Sequence, residues 1–171
     1  MGIAADLGYV VPRANAFQRA VQRFGSTAAG ARLFAHTLPA MDRAVGRLSK
    51  GRTTVPQLLA GLPVLVLTTT GRRSGQPRDA HLIGIPVGDT LALLGTNFGQ
   101  ARTPAWVFNL EADPRATVTH HHTSVEVVTR PATPAEREQV MESSRQVYGG
   151  YLKYQERITG RELRIFLLTE R

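Results

Sequence analysis

The sequence predicts an α+β fold that is mainly β: a small antiparallel β-barrel of about six strands, with N-terminal and inserted helices. Three observations carry this expectation. From residue 61 onward, short apolar and β-branched runs alternate with turn residues. Helical patterns separate only a few of these runs, so a parallel doubly wound sheet, which needs a helix between most strands, is excluded. Residues 14–48 carry helical rather than strand periodicity.

Taken in order, residues 14–35 read as a helix with apolar Phe17, Ala20, Val21 and Phe24 and, after Gly25, Leu33 and Phe34; Arg19, Arg23 and Arg32 lie between them. A second basic amphipathic helix is expected over 38–48 and a loop over 50–54. Strands are expected at 63–69, 79–87 and 90–96, with a hairpin turn at Val87-Gly88-Asp89-Thr90. Pro104 to Ala112 reads as a helix with Trp106, Val107 and Leu110 facing inward. Strands follow at 115–121 and 123–130. Thr133-Pro134-Ala135-Glu136 then opens a helix running to about Val147, with Thr133 as N-cap and Glu136 completing a capping box. Tyr148-Gly149-Gly150 breaks it, a short helix or loop follows, and residues 163–168 form the last strand.

The 171 residues fit one domain: a helical segment over 1–60 and a barrel core over 61–171. With no cysteine, disulfides and thiolate chemistry are excluded. Met1 to Val10 carries Asp6 and no basic region ahead of an apolar core, so no secretory leader is expected and a cytoplasmic place is. The net charge of +8 is unevenly placed. Residues 1–60 hold eight Lys/Arg against two Asp/Glu; residues 61–78 add three arginines and no acid; the rest is nearly balanced. An anionic partner is therefore expected at the first half: an anionic cofactor, an acidic lipid or a nucleic acid. Nucleic acid is disfavoured, because aromatic residues total 6% and the basic turn is flanked by hydroxyls rather than stacking rings. The basic helices bring the inner face of the cell membrane within reach as a peripheral contact. Exposed barrel edges permit a monomer or a homodimer.

The densest chemistry lies at residues 68–78, Thr-Thr-Thr-Gly-Arg-Arg-Ser-Gly-Gln-Pro-Arg. Gly71 and Gly75 permit tight turning and close backbone approach. Arg72, Arg73 and Arg78 present forks of donors suited to phosphate or carboxylate. This reads as an anion site, with a solvated basic hairpin as the simpler alternative. A second cluster, Gly95-Thr96-Asn97-Phe98-Gly99-Gln100 with Arg102, Pro104 and Trp106, joins a strand end to a helix start, where free N–H groups face a ligand. Here Trp106 could equally be a core anchor. Tyr148, Tyr151 and Tyr154 are spaced to share a helix face, for proton donation, for a flat substrate, or simply for packing. His120-His121-His122 lacks a carboxylate at ligand spacing; in a strand only His120 and His122 would share a side, and no metal site is expected.

Together, Leu67 to Arg78, Gly95 to Leu110, Ala112-Asp113-Pro114 and Tyr148 to Tyr154 resemble, in content and order, the deazaflavin-dependent nitroreductase family. Its members are split β-barrels of the FMN-binding type that use reduced coenzyme F420. The resemblance covers about residues 40–171. It implies that Arg72, Arg73, Ser74 and Arg78 hold the phosphate and oligoglutamate tail of the coenzyme. Asp79, Ala80, His81, Leu82 and Ile83 would run beside it. Leu94, Gly95, Thr96 and Asn97 would meet its ring system, and Ala105, Trp106, Val107, Phe108 and Asn109 would back it. Tyr151 would face the substrate, with Tyr148 and Tyr154 beside it. Asn97 stands where some members have lysine, and Ile83 where some have an aromatic residue. The implied reaction is hydride transfer to an electron-poor acceptor (quinone, enone or nitroaromatic), with Tyr151 and then Thr96 as candidate catalytic groups. The competing readings are a non-catalytic deazaflavin or flavin carrier, with FMN as the alternative cofactor, and a basic peripheral membrane protein.

Overall fold

A computed structural model describes residues 2–37 and 59–170 of the chain. The helix expected over 38–48 and the loop expected over 50–54 lie outside the described residues. Seven antiparallel strands form one sheet: β1 Leu65–Thr70, β2 Pro77–Leu82, β3 Ile85–Val87, β4 Thr90–Leu94, β5 Arg115–His120, β6 Thr123–Pro131 and β7 Ile165–Glu170. Their order is β2-β1-β5-β6-β7-β4-β3. The helices are α1 Ile3–Asp6, α2 Ala16–Gly25, α3 over 28–37, α4 Ala105–Ala112, α5 Pro134–Val147 and α6 Gly150–Arg157.

The seventh strand corrects the expected count of about six. The single strand expected over 79–87 is two strands, β2 and β3, at opposite edges of the sheet. Only Ile83-Gly84 joins them, and such a link spans about 10 Å at most. The sheet must therefore curl until its edges approach without pairing, which makes it a split half-barrel. Tyr9 pins this seam. Its hydroxyl reaches Pro63 O (2.8 Å) and Gly84 O (3.0 Å) and accepts from Gly84 N (2.8 Å). Removal from water pushes its pKa well above the ordinary phenol value.

Strand composition follows the layers. β4 and β7 read as continuous apolar runs because both faces are covered. Leu91, Leu93, Phe166 and Leu168 point into the barrel with Leu65, Leu67, Val118, Val127 and Val107, and Ile3, Leu7 and Tyr9 join them there. Ala92, Leu94, Ile165 and Leu167 point the other way, against Val140 and Val147 of α5 and the tyrosines around α6. Burying a leucine in such a layer contributes about 2 kcal/mol.

The Thr133 cap and its reciprocal Glu136 bond form as expected, as does the tight Gly88-Asp89 hairpin between β3 and β4. Pro104 is the N-cap of α4 rather than part of its first turn, while Trp106, Val107 and Leu110 are buried as expected. The helix expected over 14–35 is two helices. It breaks at Ser26-Thr27, where the Thr27 hydroxyl accepts from Gly30 N and caps α3. His121 and His122 form the β5–β6 turn, with His121 at φ +53°, so neither lies in a strand. His120 is buried against Val64 O (3.1 Å) and the Tyr9 ring.

Candidate active site

Between the β2 edge and α2, α3 and α6 lies a cavity of about 670 Å³. Asp79 to Ile83 form one wall. Leu94, Thr96, Asn97, Phe98, Pro104 and Trp106 form the floor, and Tyr148, Tyr151 and Tyr154 face them. β2 is an edge strand, paired only with β1 among the described residues. The expected wall, ring loop and tyrosines therefore do meet in one place.

The arginine segment lies beside this cavity rather than in it. Arg72, Arg73 and Ser74 are exposed on the β1–β2 loop, and Arg78 is exposed near the start of β2, directly ahead of Asp79. The loop closes on itself through Gly71 N to Gln76 O (2.8 Å) and Gly75 N to Gly71 O (2.7 Å). Gly75 sits at φ +65°, where a side chain is strained, and a Cβ on Gly71 would lie 2.8 Å from Ser74 Oγ and 3.0 Å from Gln76 O, so Gly71 is a close backbone approach. Asn109 fixes the loop from α4: its Oδ1 accepts from Arg72 N (3.1 Å) and its Nδ2 donates to Thr69 Oγ1 (3.0 Å). The Arg72 guanidinium lies over the Phe108 ring at 4.5 Å. Asn109 and Phe108 thus support the arginine loop and do not line the cavity. Val107 is core, Ala105 begins the helix, and Gly95 is buried behind Leu94 and Thr96.

The loop 95–100 departs from ordinary geometry. Asn97 (φ +45°), Phe98 (φ +56°) and Gly99 (φ +79°) are successive left-handed residues. For the two with side chains this costs about 1 kcal/mol each. Asn97 is not free to read a ligand edge with its amide nitrogen, which donates to Arg102 O (2.9 Å). Arg161, which the sequence reading did not single out, holds this loop. Its guanidinium donates to Gly95 O (3.0 Å), Thr96 O (3.0 Å) and Gln100 O (2.9 and 3.1 Å). Desolvation and the charge of Arg164 lower its pKa. An arginine aimed at backbone carbonyls has no sequence signature.

The tyrosines divide by role. Tyr154 Oη donates to Gly25 O of α2 (3.0 Å) and accepts from Tyr148 Oη (3.0 Å), which also lies 3.4 Å from Gln22 O. Tyr151 is 6% exposed, yet its hydroxyl bonds no described residue and retains access to the cavity; the Thr96 hydroxyl behaves likewise. Burial, and secondarily Tyr9 and Tyr154, raise the Tyr151 pKa well above 10. The sequence reading also missed Val21, Gln22 and Phe34 as cavity residues. The helical apolar spacing of Val21 and Phe34 was visible, but not what they faced.

Comparison with known proteins bears on this arrangement. The sequence profile described as F420H(2)-dependent quinone reductase matches residues 41–170. The chain is 29% identical over 114 residues to an F420H(2)-dependent quinone reductase of Mycobacterium tuberculosis, an alignment covering 64% of this chain and 74% of that protein. A solved F420-H2-dependent reductase, FDR-A, superposes with a TM-score of 0.57 at 27% identity, over 63% of this chain and 94% of that one. A structure described as a domain-swapped dimer shares the fold with a TM-score of 0.59 at 24% identity, over 74% of this chain and 95% of that one. The chain is thus an oxidoreductase that depends on reduced coenzyme F420 and acts on quinone-like acceptors, and it belongs to the F420H(2)-dependent quinone reductase family.

Proposed function

We propose that this cavity brings a quinone, a conjugated enone or a nitroaromatic against reduced coenzyme F420 for hydride transfer, and that Tyr151 hydrogen-bonds the acceptor oxygen. The observation that carries the reading is the Tyr151 hydroxyl, buried, without a described protein partner and open to the cavity. The residues fit the coenzyme. Arg72, Arg73, Ser74 and Arg78 would hold its anionic part. The edge strand from Asp79 to Ile83, with Leu94 to Asn97 and Trp106, would hold its ring part in a largely apolar pocket. When bound, the reduced deazaflavin supplies two electrons and one proton as a hydride.

The protein's own groups supply the rest. Reduction of a quinone to a hydroquinone takes a further proton at oxygen. A phenol is protonated at neutral pH, so Tyr151 presents a donor, and burial raises its pKa further. The raised pKa makes full proton transfer from the phenol costly. This favours an orienting and oxyanion-stabilising hydrogen bond, with the proton arriving from solvent. Thr96 offers a second donor on the facing wall. Leu94, Trp106 and Leu82 exclude water around the acceptor. Steady-state oxidation of the reduced coenzyme by menadione tests this. Tyr151→Phe is expected to lower kcat/KM by about tenfold or more, a loss of ~1.4 kcal/mol. Unchanged turnover with every acceptor would remove Tyr151 from the reaction, and no turnover in the wild type would favour a coenzyme carrier.

A peripheral membrane contact is a second reading. Among the described residues no helix is long and apolar enough to cross a membrane. On α2 and α3, however, Phe17 (63%), Phe24 (47%) and Leu33 (50%) are exposed beside exposed Arg13, Arg19, Arg23 and Arg32, and residues 7–41 contain no acid. Such a surface suits anionic lipid. Deleting the N-terminal segment is not a usable test, because Ile3, Leu7 and Tyr9 are core residues. Sedimentation of the whole chain with phosphatidylglycerol vesicles, against Phe17→Asp/Phe24→Asp, is the alternative. Equal binding by both proteins would refute the contact.

A further inference from the structure

The helices before the barrel form part of the cavity wall. Val21 and Gln22 of α2 and Phe34 of α3 line the cavity, yet they lie outside the span 41–170 that matches the family. Their placement is built rather than incidental. Three bonds from the α6 region grip the end of α2, and Tyr148 Oη, which donates to Tyr154 Oη (3.0 Å), lies 3.4 Å from Gln22 O. Tyr154 Oη donates to Gly25 O (3.0 Å). Arg157 donates to Ser26 O (2.8 Å) and Lys153 Nζ to Ser26 Oγ (3.2 Å). On the other side, Gln22 Nε2 donates to Ala60 O (2.7 Å). The corner between α2 and α3 is equally tight. A Cβ on Gly25 would meet the Phe34 ring at 2.7 Å and the Tyr148 hydroxyl at 3.3 Å. Gly25 thus lets the Phe34 ring and the tyrosine pair close on one point, and Phe34 packs edge-on to Phe24.

We infer that this clamped corner is a specificity element, with Phe34 and Val21 setting the size of the acceptor that the cavity takes and Tyr148 and Tyr154 acting as positioning residues that hold it. The inference rests on the reading that the cavity takes the acceptor. It gives the outer tyrosines a function that the chemistry of Tyr151 leaves unexplained. An aromatic ring and a β-branched side chain on a fixed helix corner present a flat apolar wall, which discriminates by shape.

Trp106 is the sole tryptophan and lines the cavity, so quinone binding is readable by quenching without coenzyme or turnover. The probes are 2-methyl-1,4-naphthoquinone and its 3-prenylated analogue, each titrated into the whole chain. Phe34→Ala is expected to shift the dissociation-constant ratio by about threefold or more toward the prenylated quinone, and Val21→Phe to shift it oppositely by a similar factor. The affinity for F420, read by its own fluorescence, is expected to stay within about twofold in both variants. The two substitutions act in opposite directions at half-buried positions, so a general loss of folding cannot mimic the result. A wild-type ratio in both variants, or an F420 affinity that moves in step with the quinone affinities, overturns the inference. A wild type that binds F420 but neither quinone overturns the functional reading as well.

Discussion

The arginine loop at 71–76 and the loop at 95–100 flank the same cavity but are held in different ways. The first closes through bonds within six residues, and its left-handed position is a glycine, Gly75. Its arginines stay exposed, and Asn109 anchors it by one backbone N–H. The second places a phenylalanine and an asparagine in the left-handed region and relies on a distant guanidinium, Arg161, for its shape. A loop meant to meet a solvated anionic chain needs accessible charge and little else. A loop meant to shape the floor of an apolar cavity needs fixed backbone, and a fork of donors supplies it across the chain.

The sharpest way to break this contrast is Arg161→Ala. It leaves the Gly95 and Gln100 carbonyls without their donor, leaves Thr96 O with only its bond from Gly99 N, and releases two strained residues. A stability loss of about 2–3 kcal/mol is expected in urea unfolding. Faster amide exchange at 95–100 than at 71–76 would localise it. Equal exchange in both loops would contradict the assigned role. Next, Asn109→Leu strips the arginine loop of its anchor. About 1–2 kcal/mol and several-fold weaker F420 binding are expected, with Trp106 quenching by menadione unchanged. Gly75→Ala forces a side chain to φ +65°, at a cost of about 1 kcal/mol by the same unfolding assay.

The smallest expected effect is one of pH. Burial raises the pKa values of Tyr9, Tyr148, Tyr151 and Tyr154 above the ordinary 10. The unfolded chain gives up these protons first. Their contribution is therefore intact below pH 10 and is lost as the pH climbs from 10 toward the folded values. Urea midpoints between pH 8 and 11 are expected to fall above 10, and less steeply in Tyr151→Phe. A midpoint independent of pH across that range would show the hydroxyls to be solvated.

The same contrast explains what was legible in the sequence. Gly71, Gly75, the Thr133 capping box and the Gly88-Asp89 hairpin are local chemistry, written within a few residues. The break at Gly84 was not readable, because it arises from the sheet curling until β2 and β3 become opposite edges. The break at Ser26-Thr27 had a signal, the Thr27 cap, outweighed by apolar spacing that continued across it. Within the site, the β2 wall, Thr96 and the tyrosine triplet could be found by motif. Arg161 and Gln100 are too far apart in sequence for local rules to connect them, and neither the commitment of Tyr148 and Tyr154 to α2 nor the place of Phe34 follows from spacing.

The central claim is that an exposed arginine loop and an apolar cavity together select a deazaflavin with an anionic tail. Fluorescence titration of the whole chain with oxidised F420, and separately with FMN, at two salt concentrations tests it most directly. The account predicts tight F420 binding that weakens with salt, weaker FMN binding, and loss of the salt dependence in Arg72→Gln/Arg73→Gln/Arg78→Gln. Salt-independent binding, or a preference for FMN that the triple variant leaves intact, would contradict it.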